Sequence, residues 1–425
     1  MPRHYLPLLI LAAESIFILP FVLPRVFRPT VLAAYRIDNT QLGYCFAAYG
    51  FVALAAYLLG GPLADRYPAR YLLAGSLLAT AAGGVYAATF PGYAGLKWLY
   101  GYWGLTTILL AWAPMIKATR VWGGAERQGR AYGWLDGGRG LVGALFGLAG
   151  VGVFALVGGG GVDGGDGIVE RASFRNVLLV CSGLIAVVGL LVARYLTVED
   201  RGEEEVTVDR ITPALLGRVL RLPAVWLLML IIACAYTGYK VTDVFSQYAN
   251  EVLGYDREIS AWVGSALQFL RPAVGITVGF LAPRTNLARW LLGSFLLSIV
   301  GSLGLALVPA EVTPLLLFVV STTLIGTGVY AARGLYFAVM REGHISLALT
   351  GTAVGLISLV GYTPDIYAGV LIGQLLDGFP GPAGFRYVFW VTAGFSLLGA
   401  LATAYYHHRF AADSPQDYGS SPTLL

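Results

Sequence analysis

Long apolar stretches, broken by short runs of Gly, Pro and charge, follow one another along the whole chain. They predict twelve helices, at 5–27, 40–62, 71–90, 95–119, 129–156, 174–195, 223–249, 258–281, 288–309, 314–340, 345–373 and 385–406. Each has about the 20 residues that a helix needs to cross a bilayer core. One break stands apart. Residues 196–222 are polar, with Glu203, Glu204, Glu205 and several arginines. They divide the chain into an N-terminal six-helix bundle (1–195), a linker (196–222) and a C-terminal six-helix bundle with a short tail (223–425).

Composition turns this pattern into a class. Of 425 residues, 57% are apolar and only 12% charged, half the roughly 25% of soluble domains. So few charges cannot solvate a soluble surface of this size. The expected fold class is an all-α polytopic membrane protein with twelve transmembrane helices. A net charge of +4, scattered along the chain, gives no nucleic-acid stripe. Cys45, Cys181 and Cys234 lie far apart in apolar runs, as small core residues with neither disulfide nor metal spacing. No Walker-type loop, His-Glu-x-x-His or Gly-x-Ser-x-Gly is present, so neither an enzyme nor ATP-driven transport is expected, and no cofactor or metal. The first apolar run has no small-x-small cleavage site and reads as a retained span. With the termini inside, cytoplasmic segments hold 15 Lys and Arg against seven outside, which favours both termini being cytoplasmic. Only Lys97, Lys117 and Lys240 among 28 basic residues are lysines. That Arg bias fits a GC-rich genome and a bacterial inner membrane. A monomer is expected.

The two halves are an internal repeat. Gly61-Pro62-Leu63-Ala64-Asp65-Arg66 recurs as Gly279-Phe280-Leu281-Ala282-Pro283-Arg284 at an offset of 218. Thr106-Thr107-Ile108-Leu109 recurs as Thr322-Thr323-Leu324-Ile325 at 216, and Phe174-Arg175-Asn176-Val177 as Phe385-Arg386-Tyr387-Val388 at 211.

The loop after the second helix, Gly61 to Arg70, resembles the signature of the major facilitator superfamily, Gly-x-x-x-Asp-Arg/Lys-x-Gly-Arg/Lys-Arg/Lys. Pro68 and Ala69 depart from it. Helix count, central break and 6+6 repeat extend the resemblance over the whole chain. It implies that Gly61, Asp65, Arg66 and Arg70 form a gate that latches the cytoplasmic side when the cavity faces outward. A plainer reading makes Asp65 and Arg66 topological loop charges. The stretches 120–141 and 333–365 resemble a sugar-phosphate-permease-like branch near the organophosphate antiporters. Gly140, Gly143, Gly147 and Gly150 without a proline depart from the drug/proton antiporters.

Charge inside the bilayer costs several kcal/mol unless paired or solvated, so each such residue is a functional candidate. The set is Glu14, Arg25, Lys117, Asp136, Arg139, Lys240, Asp243, Arg271, Arg333 and Asp365. Helices three, six, nine and twelve carry none, as helices facing lipid would. Tyr236, Lys240, Asp243 and Gln247 share one face of helix seven, and Ser358, Tyr362 and Asp365 one face of helix eleven. These stripes suit a water-filled cavity. Asp136–Arg139 and Lys240–Asp243 are also spaced to neutralise each other within one helix.

The repeat maps Lys117 onto Arg333, so the two are symmetry mates able to clamp an anion. The other reading is that both snorkel to the interface. Six cations against four carboxylates favour an anionic substrate. The expected function is a secondary active transporter of a small organic anion, phosphate- or carboxylate-bearing, bound by Lys117, Arg333, Lys240, Arg139, Arg271 and Tyr236. The alternatives are a proton-coupled carrier of a neutral or zwitterionic solute or lysolipid, and a substrate sensor that transports nothing. No histidine lies mid-membrane, so coupling would fall to a carboxylate. Glu14 and Asp365 lead, having no basic neighbour on their own turn, ahead of Asp136 and Asp243. For these, too, pairing with a cation on another helix is the competing reading.

Overall fold

A computed structural model describes residues 5–123, 128–158, 167–196, 213–282, 285–308, 314–336, 339 and 347–411. Among them are helices and no strands, arranged as twelve rods. The first half contains α1 (Tyr5–Val26), α2 (Asn39–Arg66), α3 (Ala69–Ala87), α4 (93–123), α5 (Gln128–Gly158) and α6 (Gly167–Tyr195). The second contains α7 (Pro223–Glu251), α8 (Arg257–Leu281), α9 (Leu287–Leu307), α10 (Leu315–Leu335), α11 (347–378) and α12 (Pro382–Tyr406). Of the linker, the described part is a short helix, Pro213–Leu220, that the apolar pattern did not predict. Among the described residues, nine rods are long and apolar enough to span a membrane. α2 is helical from Asn39 to Arg66, and α3 and α4, diluted by Gly, Ala, Thr and Tyr, are helical all the same.

Two apolar cores form, one almost wholly from residues 5–196 and one from 219–406. The repeat is visible in their hydrogen bonds. Arg175 Nε of α6 donates to the Ala88 carbonyl just past α3, and Arg386 Nε of α12 donates to the Ala306 carbonyl in α9, both at 3.2 Å. On α3, α6, α9 and α12 large apolar side chains such as Leu78, Leu190, Val300 and Leu401 are exposed, leaving the other eight rods to build the centre.

Several of the central rods are irregular, each for a local reason. Pro20 has no N–H to donate, and α1 widens there, with Leu23 N–H reaching the Ile18 carbonyl. α7 tightens at Val241–Val244, immediately after Lys240. α11 is interrupted at Tyr362–Thr363, just before Pro364, which has no N–H to donate to the preceding turn. It restarts with Pro364 in its first turn and Asp365 beside it, where a helix N-terminus favours negative charge.

Two seams join the halves. Along α2/α11 backbone meets backbone: a Cβ on Gly43 would lie 2.4 Å from the Gly369 carbonyl oxygen, and one on Gly373 2.5 Å from that of Asn39. Along α5/α8 the glycines face side chains instead, Gly140 against Arg271 and Pro272, and Gly143 against Glu14 of α1.

Candidate functional site

The four intramembrane carboxylates all find cations, and none takes the partner nearest in sequence. Glu14, 3% exposed, accepts from Arg139 Nε at 3.0 Å and from Arg271 Nη1 at 2.9 Å. Arg271 also reaches Asp136 at 3.4 Å. Arg139 belongs to the first half and Arg271 to the second, so Glu14 bridges the halves. A buried carboxylate holding two guanidiniums repays its desolvation only through such geometry. Asp136–Arg139 therefore gives way as a within-helix pair to contacts on other helices.

The stripe on α7 divides in the same way. Lys240 Nζ meets Asp365 of α11 at 2.6 Å, and Tyr236 donates its hydroxyl to the same carboxylate at 3.2 Å. Asp243 accepts from Arg25 of α1 at 2.6 Å. The tightened turn after Lys240 aims the upper pair at α11 and the lower at α1, so Lys240–Asp243 is no pair. The Lys240 ammonium also lies over the rings of Phe21 (4.8 Å), Phe46 (5.7 Å) and Tyr236 (5.3 Å). Two of those rings come from the first half, an arrangement that stabilises a desolvated cation. Glu14 and Asp365 thus lack basic neighbours on their own turns but are held by cations from other helices.

Four of the six cations are accounted for by these carboxylates. Of the other two, Arg333 lies over Tyr239 at 4.1 Å and Tyr236 at 5.5 Å. No carboxylate comes within 4 Å of it among the described residues. Lys117 is exposed and donates to the Ala64 carbonyl of α2 at 3.2 Å, beside the signature loop. The symmetry mates are therefore engaged by different helices, α7 and α2. In that loop Arg66 lies over Tyr67, and Arg70 over Tyr71 with a hydrogen bond to its hydroxyl. Gly61 and Asp65 are at the end of α2, the Asp65 side chain lying outside the described residues.

Aromatic groups complete the centre. Tyr57 of α2 packs edge-on against Trp112 of α4 and stacks on Tyr362 of α11. The Tyr336 and Tyr362 hydroxyls are 3.2 Å apart. Tyr102 donates its hydroxyl to the Ala79 carbonyl on α3 at the outer surface.

Burial falls along the axis of the bundle. At the end opposite the termini, Arg25, Arg28, Asn39, Asp243 and Gln247 are all buried. Toward the termini, the Asp136 side chain is 49% exposed and Arg333 half-buried. The opposite end is shut by polar contacts between halves that sequence reasoning missed: Arg28 to Gln247 (2.7 Å), Arg25 to Asp243, and Asp377 to Asn39 and Thr40. One signal was available. Arg25 and Asp243 are 218 residues apart, the offset of the repeat, so equivalent positions on α1 and α7 meet at the pseudo-twofold axis.

The sequence and the fold have known counterparts. The chain is similar to two inner membrane proteins of Escherichia coli K12, YihN (26% identical, 93% of each chain covered) and YqcE (25% identical, 86% of this chain and 84% of the relative). Its fold matches a crystal structure of a bacterial homolog of the human lysosomal transporter Spinster, in an inward-facing and occupied conformation. The TM-score is 0.74 at 17% identity, over 98% of this chain and 100% of that one. A mutant of the nucleoside transporter NupG matches with a TM-score of 0.64 at 15% identity, over 94% and 99%. The family model of the Major Facilitator Superfamily matches residues 9–364, and with twelve rods in two repeated halves around a charged centre, the chain belongs to that superfamily.

Proposed function

We propose that the protein is a secondary active transporter of a small organic anion bearing a phosphate or carboxylate group, working by alternating access. The carrying observation is Arg333. Its guanidinium faces lie against tyrosine rings, which leaves the N–H groups at its edge for a ligand. Stacking suits Arg to planar, bidentate recognition of a carboxylate or phosphate. Arg271 and Arg139 are tied to Glu14, and Lys240 to Asp365. In this reading they set a positive field around the site, and Arg333 makes the direct contact. Asp136, the most exposed carboxylate of the set, is the candidate for proton coupling. The resemblance to the organophosphate antiporter branch agrees with an anion, and the positive-inside count favours the half-exposed side of the centre facing the cytoplasm.

The test is a thermal-shift panel of organic phosphates, small carboxylates and neutral sugars on purified protein, followed by counterflow in proteoliposomes. Phosphates or carboxylates are expected to stabilise saturably. Arg333→Gln should weaken that binding about 10- to 100-fold, the worth of one charge-assisted contact, and Arg333→Lys should restore part of it. Equal stabilisation by neutral sugars, or binding unchanged in Arg333→Gln, overturns the anion site. Binding without counterflow favours a sensor.

A further inference from the structure

At the end opposite the termini, the first turn of α2 is capped twice. Asp38 precedes the helix and accepts from the Gln41 N–H at 2.6 Å, while Gln41 reaches back to the Asp38 N–H. That capping box satisfies the third N–H of the turn. The first and second, on Asn39 and Thr40, would be left without intrahelical partners. Both are taken by a residue of the other half: Asn39 N–H donates to Asp377 Oδ1 at 3.2 Å, and Thr40 N–H to Asp377 Oδ2 at 2.7 Å. The Asn39 amide and Thr40 hydroxyl add two more bonds to that carboxylate, at 3.1 and 2.6 Å.

Asp377 lies in the last turn of α11, where the helix dipole disfavours a negative charge. Docked on α2 it meets the favourable end of another helix. Nothing within the second half offers it that compensation among the described contacts. The cap continues as a relay: Arg28 bonds Asn39 Oδ1 at 3.0 Å and Gln247 Oε1 at 2.7 Å, and Gln247 bonds Glu251 at 2.8 Å. The relay runs through α11, α2, the short helix Arg28–Tyr35 that follows α1, and α7, and so ties both halves together at one end.

We propose that Asp377 is a releasable latch of this end of the transporter, a cap supplied in trans that holds α2 against α11 in the closed form and lets go when the halves rock apart. Separation leaves Asp377 at an unfavourable helix terminus and two N–H groups of α2 to water. The closed form is favoured by that difference. The cost is modest because Asp377 and Thr40 are near the surface, where water can take over. A latch must be breakable, and a partly wet one is. Arg25–Asp243, buried one turn deeper, is then the part that resists.

This latch rests on the alternating-access reading, and the experiment separates the two. Spin labels are placed at Ala33→Cys and Ile259→Cys, exposed positions of the two halves at this end, and the distance distribution is measured in nanodiscs. Asp377→Ala is expected to lower the closed-to-open ratio about tenfold, the usual worth of a lost cap. Thr40→Val, which keeps the backbone bonds, should lower it less. Gly43→Leu serves as a wedge, forcing α2 off α11 whatever the latch does. An unchanged distribution in Asp377→Ala with a shifted one in the wedge overturns the latch. A distribution that even the wedge leaves in place overturns two-state rocking itself. Folding of each variant is checked by size-exclusion profile and circular dichroism.

Discussion

The α2/α11 and α5/α8 seams are equivalent under the repeat, yet they are built from opposite materials. The α2/α11 seam is backbone on backbone, with Gly43, Gly369 and Gly373 letting two helices touch where any side chain would stand between them. In membranes such small-residue contacts hold helices together by packing alone. The α5/α8 seam uses its glycines to make room for side chains, and fills that room with Glu14, Arg139 and Arg271. Packing of the first kind has one good geometry. Arginine–carboxylate bonds tolerate sliding and rotation, and their strength changes with what binds nearby. The difference makes the α2/α11 seam a contact that is either fully closed or open, and the α5/α8 seam an adjustable one, next to the centre where a substrate charge would be felt.

The largest effect is expected at Glu14. Glu14→Gln removes the buried carboxylate that two guanidiniums share, and leaves the buried Arg139 without its acid partner. Breaking a buried pair by removing one partner costs about 3–5 kcal/mol, so the melting temperature in detergent should fall well below that of the parent protein. Arg271→Gln should cost less, because Arg139 still holds Glu14. If Glu14→Gln were as stable as the parent, the charged seam would be ornamental and the comparison would fail.

A matched pair of glycine changes tests the two materials directly. Gly43→Ala places a methyl group 2.4 Å from the Gly369 carbonyl oxygen, a backbone atom that cannot rotate away. Overpacking of this kind costs about 1–3 kcal/mol. Gly147→Ala on α5 meets Ser265 Oγ at 3.0 Å and Gln268 Nε2 at 3.1 Å. Those are side-chain ends that can turn, and the loss should stay under about 1 kcal/mol. Equal melting temperatures for the two variants would mean that the seams do not differ in stiffness.

Much of this architecture is written in the chain. Apolar period and length place all twelve rods, and the offset that relates Arg175 to Arg386 is reproduced by their hydrogen bonds to Ala88 and Ala306. Rod ends are less legible where polar residues continue a helix. α6 begins at Gly167, ahead of the expected 174, because Glu170 and Arg171 belong to it. α11 runs on to Gly378, past the expected 373, because Asp377 is spent on the other half. Partner choice was not legible. Lys240 and Asp243 are spaced like an ion pair, and only the turn at Val241–Val244 and the break before Pro364 send each to a distant partner. Pro364 is visible in the sequence, but which side chain it would aim at Lys240 depends on how α7 and α11 pack.

The smallest effect is expected at the end of the charged seam that corresponds to the Asp377 cap. There Arg257, at the start of α8, pairs with Glu170 of α6 across the halves. Their side chains are 37% and 23% exposed, and ion pairs open to water contribute about 0–1 kcal/mol. Arg257→Gln should therefore shift the distance distribution between the labels at Ala33 and Ile259 by much less than Asp377→Ala. What shift there is should shrink further as salt is raised, because exposed charges are screened. A shift in Arg257→Gln as large as that of Asp377→Ala would move the closing force from the glycine-packed seam to the charged one and reverse the roles assigned to them.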